Sequence, residues 1–111
     1  DEALQARFRT PTGSVSLASL SDGFRSVFVI VAELVLRLSL ATEDPYAALD
    51  QPAVCLIDEI DAHLHPRWQT QIVRGLQKLF PRVQFIATTH SPYVVASVEP
   101  HEVFQLGEIE P

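Results

Sequence analysis

The feature that most restricts the fold is a run of five apolar residues, Ala53-Val54-Cys55-Leu56-Ile57, that passes directly into two carboxylates, Asp58 and Glu59. Unbroken rather than alternating hydrophobicity over a strand's length predicts a strand covered on both faces, the habit of parallel sheets. A second such run spans Val83 to Thr88. Between them Pro66 opens a helix-like stretch whose apolar stripe is Trp68, Ile72, Leu76, Leu79 and Phe80. Upstream, Ser21 to about Leu40 places Val27, Ile30, Val31, Leu34, Val35 and Leu38 at helical spacing, with Ser21 as N-cap and Glu33 and Arg37 four residues apart. That helix is expected to be buried on most sides. Thr42 to Pro52 reads as an exposed connection, Ser91-Pro92 as the cap and first turn of a short helix through Ser97, and Glu102 to Leu106 as a third strand. Before the first helix, a Pro11-Thr12-Gly13 turn and the alternation of Val15 and Leu17 with serines suggest a short strand followed by a loop. Strands alternating with helices predict an α/β fold with a parallel sheet, right-handed crossovers and functional residues at the carboxyl ends of the strands.

Composition narrows the class further. The chain has 111 residues, 47% hydrophobic and 20% charged, which describes one small soluble domain or part of one and excludes disorder. Eight basic residues are scattered among 14 acidic ones for a net charge of -6, so a self-sufficient surface for nucleic acid is not expected; such a partner would need other parts of a longer protein. Cys55, the single cysteine, lies inside the apolar run and reads as a small buried hydrophobe rather than a nucleophile, in keeping with a reducing, cytoplasmic compartment. Val27 to Leu40 contains Glu33 and Arg37 and falls short of the roughly 20 apolar residues a bilayer requires, so no membrane association is expected. The chain opens Asp1-Glu2 with no signal-peptide pattern, and it contains no internal repeat.

Two adjacent carboxylates at the edge of a buried strand are an expensive placement of charge unless a cation or reacting group uses them. Four hydrophobic residues followed by Asp-Glu form the Walker B pattern, in which the Asp orients Mg²⁺ through its water shell and the Glu polarises the water that attacks a γ-phosphate. The second strand ends in Thr88-Thr89-His90-Ser91-Pro92, so a strand lying beside the first would deliver a histidine to the same edge, where it can bond a γ-phosphate oxygen or the attacking water. A third element, Leu20-Ser21-Asp22-Gly23-Phe24-Arg25, puts a hydroxyl, a glycine and free N–H groups at the positive end of the first helix. Taken singly, a capping carboxylate pair, a satisfied histidine and an ordinary N-cap would account for each. A dedicated transition-metal cluster of His63, His65, Asp58, Glu59 and Asp61 is the competing chemical reading, weakened because the chain should already be turning toward the Pro66 helix there.

The order and spacing of all three elements resemble the carboxyl-terminal half of an ABC-type ATPase head, in the branch that includes RecF- and SMC-like proteins and the AAA-type-core ATPases of phage-defence and overcoming-lysogenization systems. Residues 20–40 look like the signature helix, 53–59 like the Walker B strand, 60–66 like the D-loop and 83–90 like the strand carrying the switch histidine, within one partial domain, 1–111. The resemblance implies a P-loop NTPase fold that uses ATP and Mg²⁺, with two nucleotides sandwiched between two head-to-tail heads of a homodimer. Carried over, Asp58 is the metal residue, Glu59 the catalytic base and His90 the γ-phosphate sensor. Ser21, Gly23, Arg25 and Asp61 form the cofactor-binding set: Ser21 and Gly23 reach the γ-phosphate of the opposite subunit, and Asp61 to His65 line the dimer interface. Thr88 and Thr89 support these groups from behind. DNA repair, chromosome maintenance and phage defence are the processes such a head would drive, and a nuclease or toxin partner would lie outside these residues.

Departures from the family pattern are informative. Asp22 stands at the second glycine position, where its carboxylate would repel phosphate, with Arg25 near enough in sequence to offset it; Phe24 stands at the usual glutamine position. The only glycines are Gly13, Gly23, Gly75 and Gly107 and the only lysine is Lys78, so G-x-x-x-x-G-K-[ST] cannot be read anywhere. The P-loop portion is therefore expected to lie upstream in a longer ATPase, the alternative being a non-catalytic dimerisation remnant of such a head. Without the lysine and amide cradle for the β- and γ-phosphates, the 111-residue chain on its own is expected to show no ATP hydrolysis above background, and robust turnover in a phosphate-release assay would contradict this.

Overall fold

A computed structural model describes the backbone of residues 7–10 and 13–16 and all of residues 21–107. A hairpin pairs β1 (Arg7–Thr10) antiparallel to β2 (Gly13–Ser16), Thr10 facing Gly13. β2 takes in Val15 as expected, whereas β1 was not anticipated. Pro11, Thr12 and Leu17 to Leu20, including the expected loop and the first signature residue, lie outside the described residues. Helix α1 (Asp22–Leu40) follows, capped by Ser21, whose hydroxyl accepts the Phe24 N–H at 3.3 Å. On its outer surface Arg37 donates twice to Glu33, at 2.8 and 3.0 Å, as the four-residue spacing predicts.

β3 (Ala53–Ile57) and β4 (Val83–Ala87) form the parallel pair, in register from Ala53 opposite Val83 to Ile57 opposite Ala87. One face of this pair supplies Ala53, Cys55, Ile57, Val83 and Phe85 to a core completed by Leu34 and Leu38 of α1, Ala48, Ile60, Leu64, Ile72, Leu76, Phe80 and Val94. Phe80 is fully enclosed and meets Phe85 at 6.4 Å between ring centroids, a tilted contact worth more than its buried area alone.

Four expectations are corrected. β3 is covered on one face only: Val54 and Leu56 are 63% and 75% exposed, as is Ile86 of β4 at 52%, because nothing among the described residues packs on that side. α1 likewise buries a stripe, centred on Leu34 and Leu38, and leaves Val29, Leu36 and Leu40 in solvent. The Pro66 helix is not continuous. It runs as α2 (Pro66–Gln69) and α3 (Ile72–Leu79), broken where the Thr70 hydroxyl donates to the Arg67 carbonyl at 2.6 Å and Gln71 leaves helical geometry. Finally, Glu102 to Leu106 forms no strand. Glu102 closes a 3₁₀ turn, Pro100–Glu102, held by the Glu99 N–H and by an ion pair to Arg74 of α3 at 2.9 Å, and the apolar residues that follow, Phe104 and Leu106, find no strand among the described residues to pair with and stay exposed. The Thr42–Pro52 connection is mostly exposed but contains a 3₁₀ segment, Pro45–Asp50, that buries Ala48. The short helix predicted after Ser91 is α4 (Pro92–Ala96).

Gly23 shows how the head of α1 is seated. A Cβ on it would lie 2.7 Å from the carbonyl oxygen of His63, a distance side chains do not tolerate, whereas Gly75 in the middle of α3 has nothing within 4 Å. Gly23→Ala is therefore expected to destabilise by about 1–3 kcal/mol through overpacking, and Gly75→Ala to stabilise by up to about 1 kcal/mol through reduced unfolded-chain entropy. Denaturant midpoints check this, and a gain at both positions would contradict the packing.

Candidate active site at the carboxyl edge of the parallel strands

Because β3 and β4 end in register, the residues that follow them emerge side by side. The ladder continues one step past Ile57, with the Thr88 N–H donating to the Ile57 carbonyl at 2.9 Å and the Ile60 N–H returning to the Thr88 carbonyl at 3.0 Å. Asp58 and Glu59 thus lie against Thr88, and His90 follows two residues later. The structure brings Asp58, Glu59 and the His90 turn to one edge, and the carboxylates and the imidazole are all exposed there.

Glu59 adopts φ 52°, a left-handed conformation that carries a cost of about 1–3 kcal/mol in a residue with a Cβ. It is held on both sides: its N–H donates to the Thr88 hydroxyl at 2.8 Å, and its carbonyl accepts the Ala62 N–H at 2.9 Å. The Thr88 hydroxyl in turn donates to the Asp58 carboxylate. One threonine therefore sets both the orientation of Asp58 and the strained backbone of Glu59, the supporting role expected of it. Thr89 supports Asp61 in the same way, donating to its carboxylate.

The following segment turns back sharply, with His63 also left-handed at φ 63°. His63 passes its carbonyl under Gly23, which brings the 61–66 stretch against the amino-terminal end of α1. His65 caps α2 through Nδ1, accepting the Arg67 N–H at 3.2 Å. Phe24 meets Trp68 edge to face, with centroids 5.9 Å apart, and this contact explains an aromatic ring where the resemblance would place a glutamine. Arg25 stands 3.6 Å from Asp22, both largely exposed, so the pair adds little stability but offsets the carboxylate's charge at the helix end. Ser21 caps that helix end, and Gly23 lies against the His63 carbonyl and Leu64.

Sequence reasoning missed one component. Ser91, a buried polar side chain at 6% exposure, accepts the Tyr93 and Val94 N–H groups and donates to Gln69, whose amide donates to the Leu64 carbonyl at 2.8 Å. The Ser-Pro cap was legible; the link to Gln69 joins residues 22 apart and has no local signal. Among the described residues no three His, Cys, Asp or Glu side chains converge to hold a metal, which removes support from the His63–His65 cluster. Cys55 is half-buried, and burial followed by the nearby Glu33 charge raises its pKa, the opposite of an activated thiol. No described helix is long and apolar enough to cross a membrane.

Most of the chain is similar to known proteins. The chain is 40% identical over 93 residues to "Retron Ec83 probable ATPase" of Escherichia coli, covering 84% of the chain and 17% of that protein. It is 36% identical over 96 residues to "Retron Vc95 probable ATPase" of Vibrio cholerae, covering 86% of the chain and 19% of the relative. It is 39% identical over 94 residues to "Septu protein PtuA" of Bacillus mycoides, covering 85% and 13% respectively. The chain thus spans less than a fifth of the length of these relatives. Residues 6–96, which include both strands and every site residue named above, match the model of one family, and the chain belongs to that family, described as "AAA domain, putative AbiEii toxin, Type IV TA system".

Proposed function

We propose that the chain forms the hydrolysis-side portion of a longer ATPase, an ABC-type head in which ATP is cleaved between two copies. The observation that carries this reading is the delivery of Asp58, Glu59 and His90 to one edge by two parallel strands ending in register. Relatives named as probable ATPases support it.

Asp58 suits Mg²⁺. It is a hard oxygen donor at an exposed edge, with one oxygen fixed by Thr88, and its charge would orient the cation's water shell. Bound there, the cation would neutralise charge developing on the transferred phosphoryl group. Glu59 holds its carboxylate out from the strand end, where it takes a proton from the attacking water. His90, one peptide bond beyond Thr89, donates to a γ-phosphate oxygen. Ser21 uses its hydroxyl oxygen as a cap, which leaves its hydrogen for an oxyanion, and the first turn of α1 adds the positive end of a 19-residue helix. Following the resemblance, they would act on the nucleotide of a second head, with the His63–Leu64 turn seated against the same helix end. The β- and γ-phosphate cradle, absent from this sequence, comes from the longer protein. Among the outputs open to such a head we favour the defence branch, since the relatives are named for retron and Septu systems and the family description names a toxin.

In the full-length protein, Glu59→Gln is expected to lower turnover by about 10²–10⁴-fold, the worth of a positioned base, while ATP still binds and the ATP-bound dimer persists. Phosphate release, nucleotide binding and sedimentation read the three quantities. Unchanged turnover, or loss of ATP binding, would count against the assignment.

A further inference from the structure

Three of the four residues from Thr88 to Ser91 carry a hydroxyl, and each hydroxyl reaches back to a different point after β3: Thr88 to Asp58, Thr89 to Asp61, and Ser91 to Gln69 and so to the Leu64 carbonyl. His90 stands between them with an exposed side chain. The three bonds differ in what else depends on them. Thr88 sets the carboxylate pair and Ser91 caps α4. Thr89 accepts only the Ser91 N–H, at 3.0 Å, a local turn that requires its oxygen but not its hydrogen. The hydrogen goes to Asp61, 28 residues earlier, and neither β4 nor α4 needs that bond in order to form. Thr89 and Asp61 are both half-buried, so a hydrogen bond to the carboxylate is only partly screened.

We propose that Thr89 is a positioning residue whose hydroxyl ties Asp61, and with it the Asp61–His65 segment, to the turn carrying His90, so that the phosphate state met by His90 reaches the surface offered to the second head. What is transmitted rests on the ATPase reading above; the bond does not. Thr89 and His90 share a peptide bond, so a shift of the histidine moves the hydroxyl directly. From Asp61 the shift passes to Leu64, whose N–H donates to the Asp61 carbonyl at 3.1 Å, and to His63, whose carbonyl lies against Gly23 at the head of α1. The path from the sensing histidine to the phosphate-facing helix end is one side-chain hydrogen bond and two backbone contacts.

The test uses the full-length protein with Thr89→Val, which keeps the shape but removes the hydroxyl and with it the acceptor of the Ser91 N–H, and Thr89→Ser, which keeps both bonds. Amide hydrogen exchange at Ala62 and Leu64 is measured beside the steady-state kinetics of ATP turnover. Thr89→Val is expected to speed exchange at both amides about tenfold, the worth of one hydrogen bond to a charged group, and to lower kcat by about tenfold or more with KM for ATP changed by less than about twofold. Thr89→Ser restores both. Asp61→Ala removes the same bond from its other end, leaves the Ser91 N–H bond in place, and must give the same faster exchange whether or not Thr89→Val folds. Unchanged exchange overturns the proposal, as does faster exchange with unaltered kcat in an active enzyme. A wild-type protein without turnover, whose exchange still responds to Thr89→Val, overturns the ATPase reading and leaves the Thr89–Asp61 tie supported.

Discussion

The in-register ending of β3 and β4 is the constraint on which the rest depends. Ile57 opposite Ala87 means that the next residues meet as a set, and the first of them, Thr88, closes the ladder to Ile57 and Ile60 while its side chain takes the Glu59 N–H and gives its hydrogen to Asp58. A slip of one residue would turn every side chain of β3 to the other face and would put Thr88 out of reach of the carboxylates. The hydrophobic pattern guards against such a slip, since Ala53, Cys55 and Ile57 must face the same core as Val83 and Phe85. Packing thus fixes register, register places the threonine, and the threonine sets the geometry of the acidic pair.

The same logic explains why strain is affordable at this edge. Glu59 and His63 both adopt left-handed backbone, each unfavourable by itself, in a segment of five residues. Buried Ile60 and Leu64 anchor the segment between and after them, and hydroxyl groups from the 88–91 turn hold it at Glu59, Asp61 and, through Gln69, Leu64. The result is a tight reversal that brings the His63 carbonyl and Leu64 against Gly23 at the head of α1. Seated on Gly23, the reversal connects the strand-edge carboxylates to the helix end through the chain between them.

Much of this was legible in the residues. The continuous run at 53–57 located β3 to the residue, Ser21 and Ser91-Pro92 announced two helix starts, and the Glu33–Arg37 spacing foretold an ion pair, because each depends on local chemistry or period. Asp58, Glu59 and His90 were predicted to share an edge from topology alone, and they do. What failed was anything set by non-local cover. Val54, Leu56 and Ile86 have the hydrophobicity of a doubly covered sheet, and Val29, Leu36 and Leu40 that of an enclosed helix, yet the described residues leave all six open. Glu102 to Leu106 had a strand's pattern and, among the described residues, no neighbour to pair with. The break at Thr70 was hidden because the Trp68–Phe80 stripe runs on unbroken, while a hydroxyl bonding backwards interrupts the helix beneath it. The reason for Gly23 was equally invisible, since its constraint is a carbonyl forty residues away.

The central claim, that this strand edge is where a nucleotide is cleaved, is tested most directly by a structure of the full-length protein with Mg²⁺ and a non-hydrolysable ATP analogue. The account predicts the γ-phosphate within about 3 Å hydrogen-bond reach of His90, the metal's water shell against Asp58, Glu59 behind the attacking position, and the Ser21 end of α1 from a second copy closing the far side. A nucleotide bound away from the β3–β4 edge, or a γ-phosphate that neither His90 nor Glu59 can reach, would contradict it.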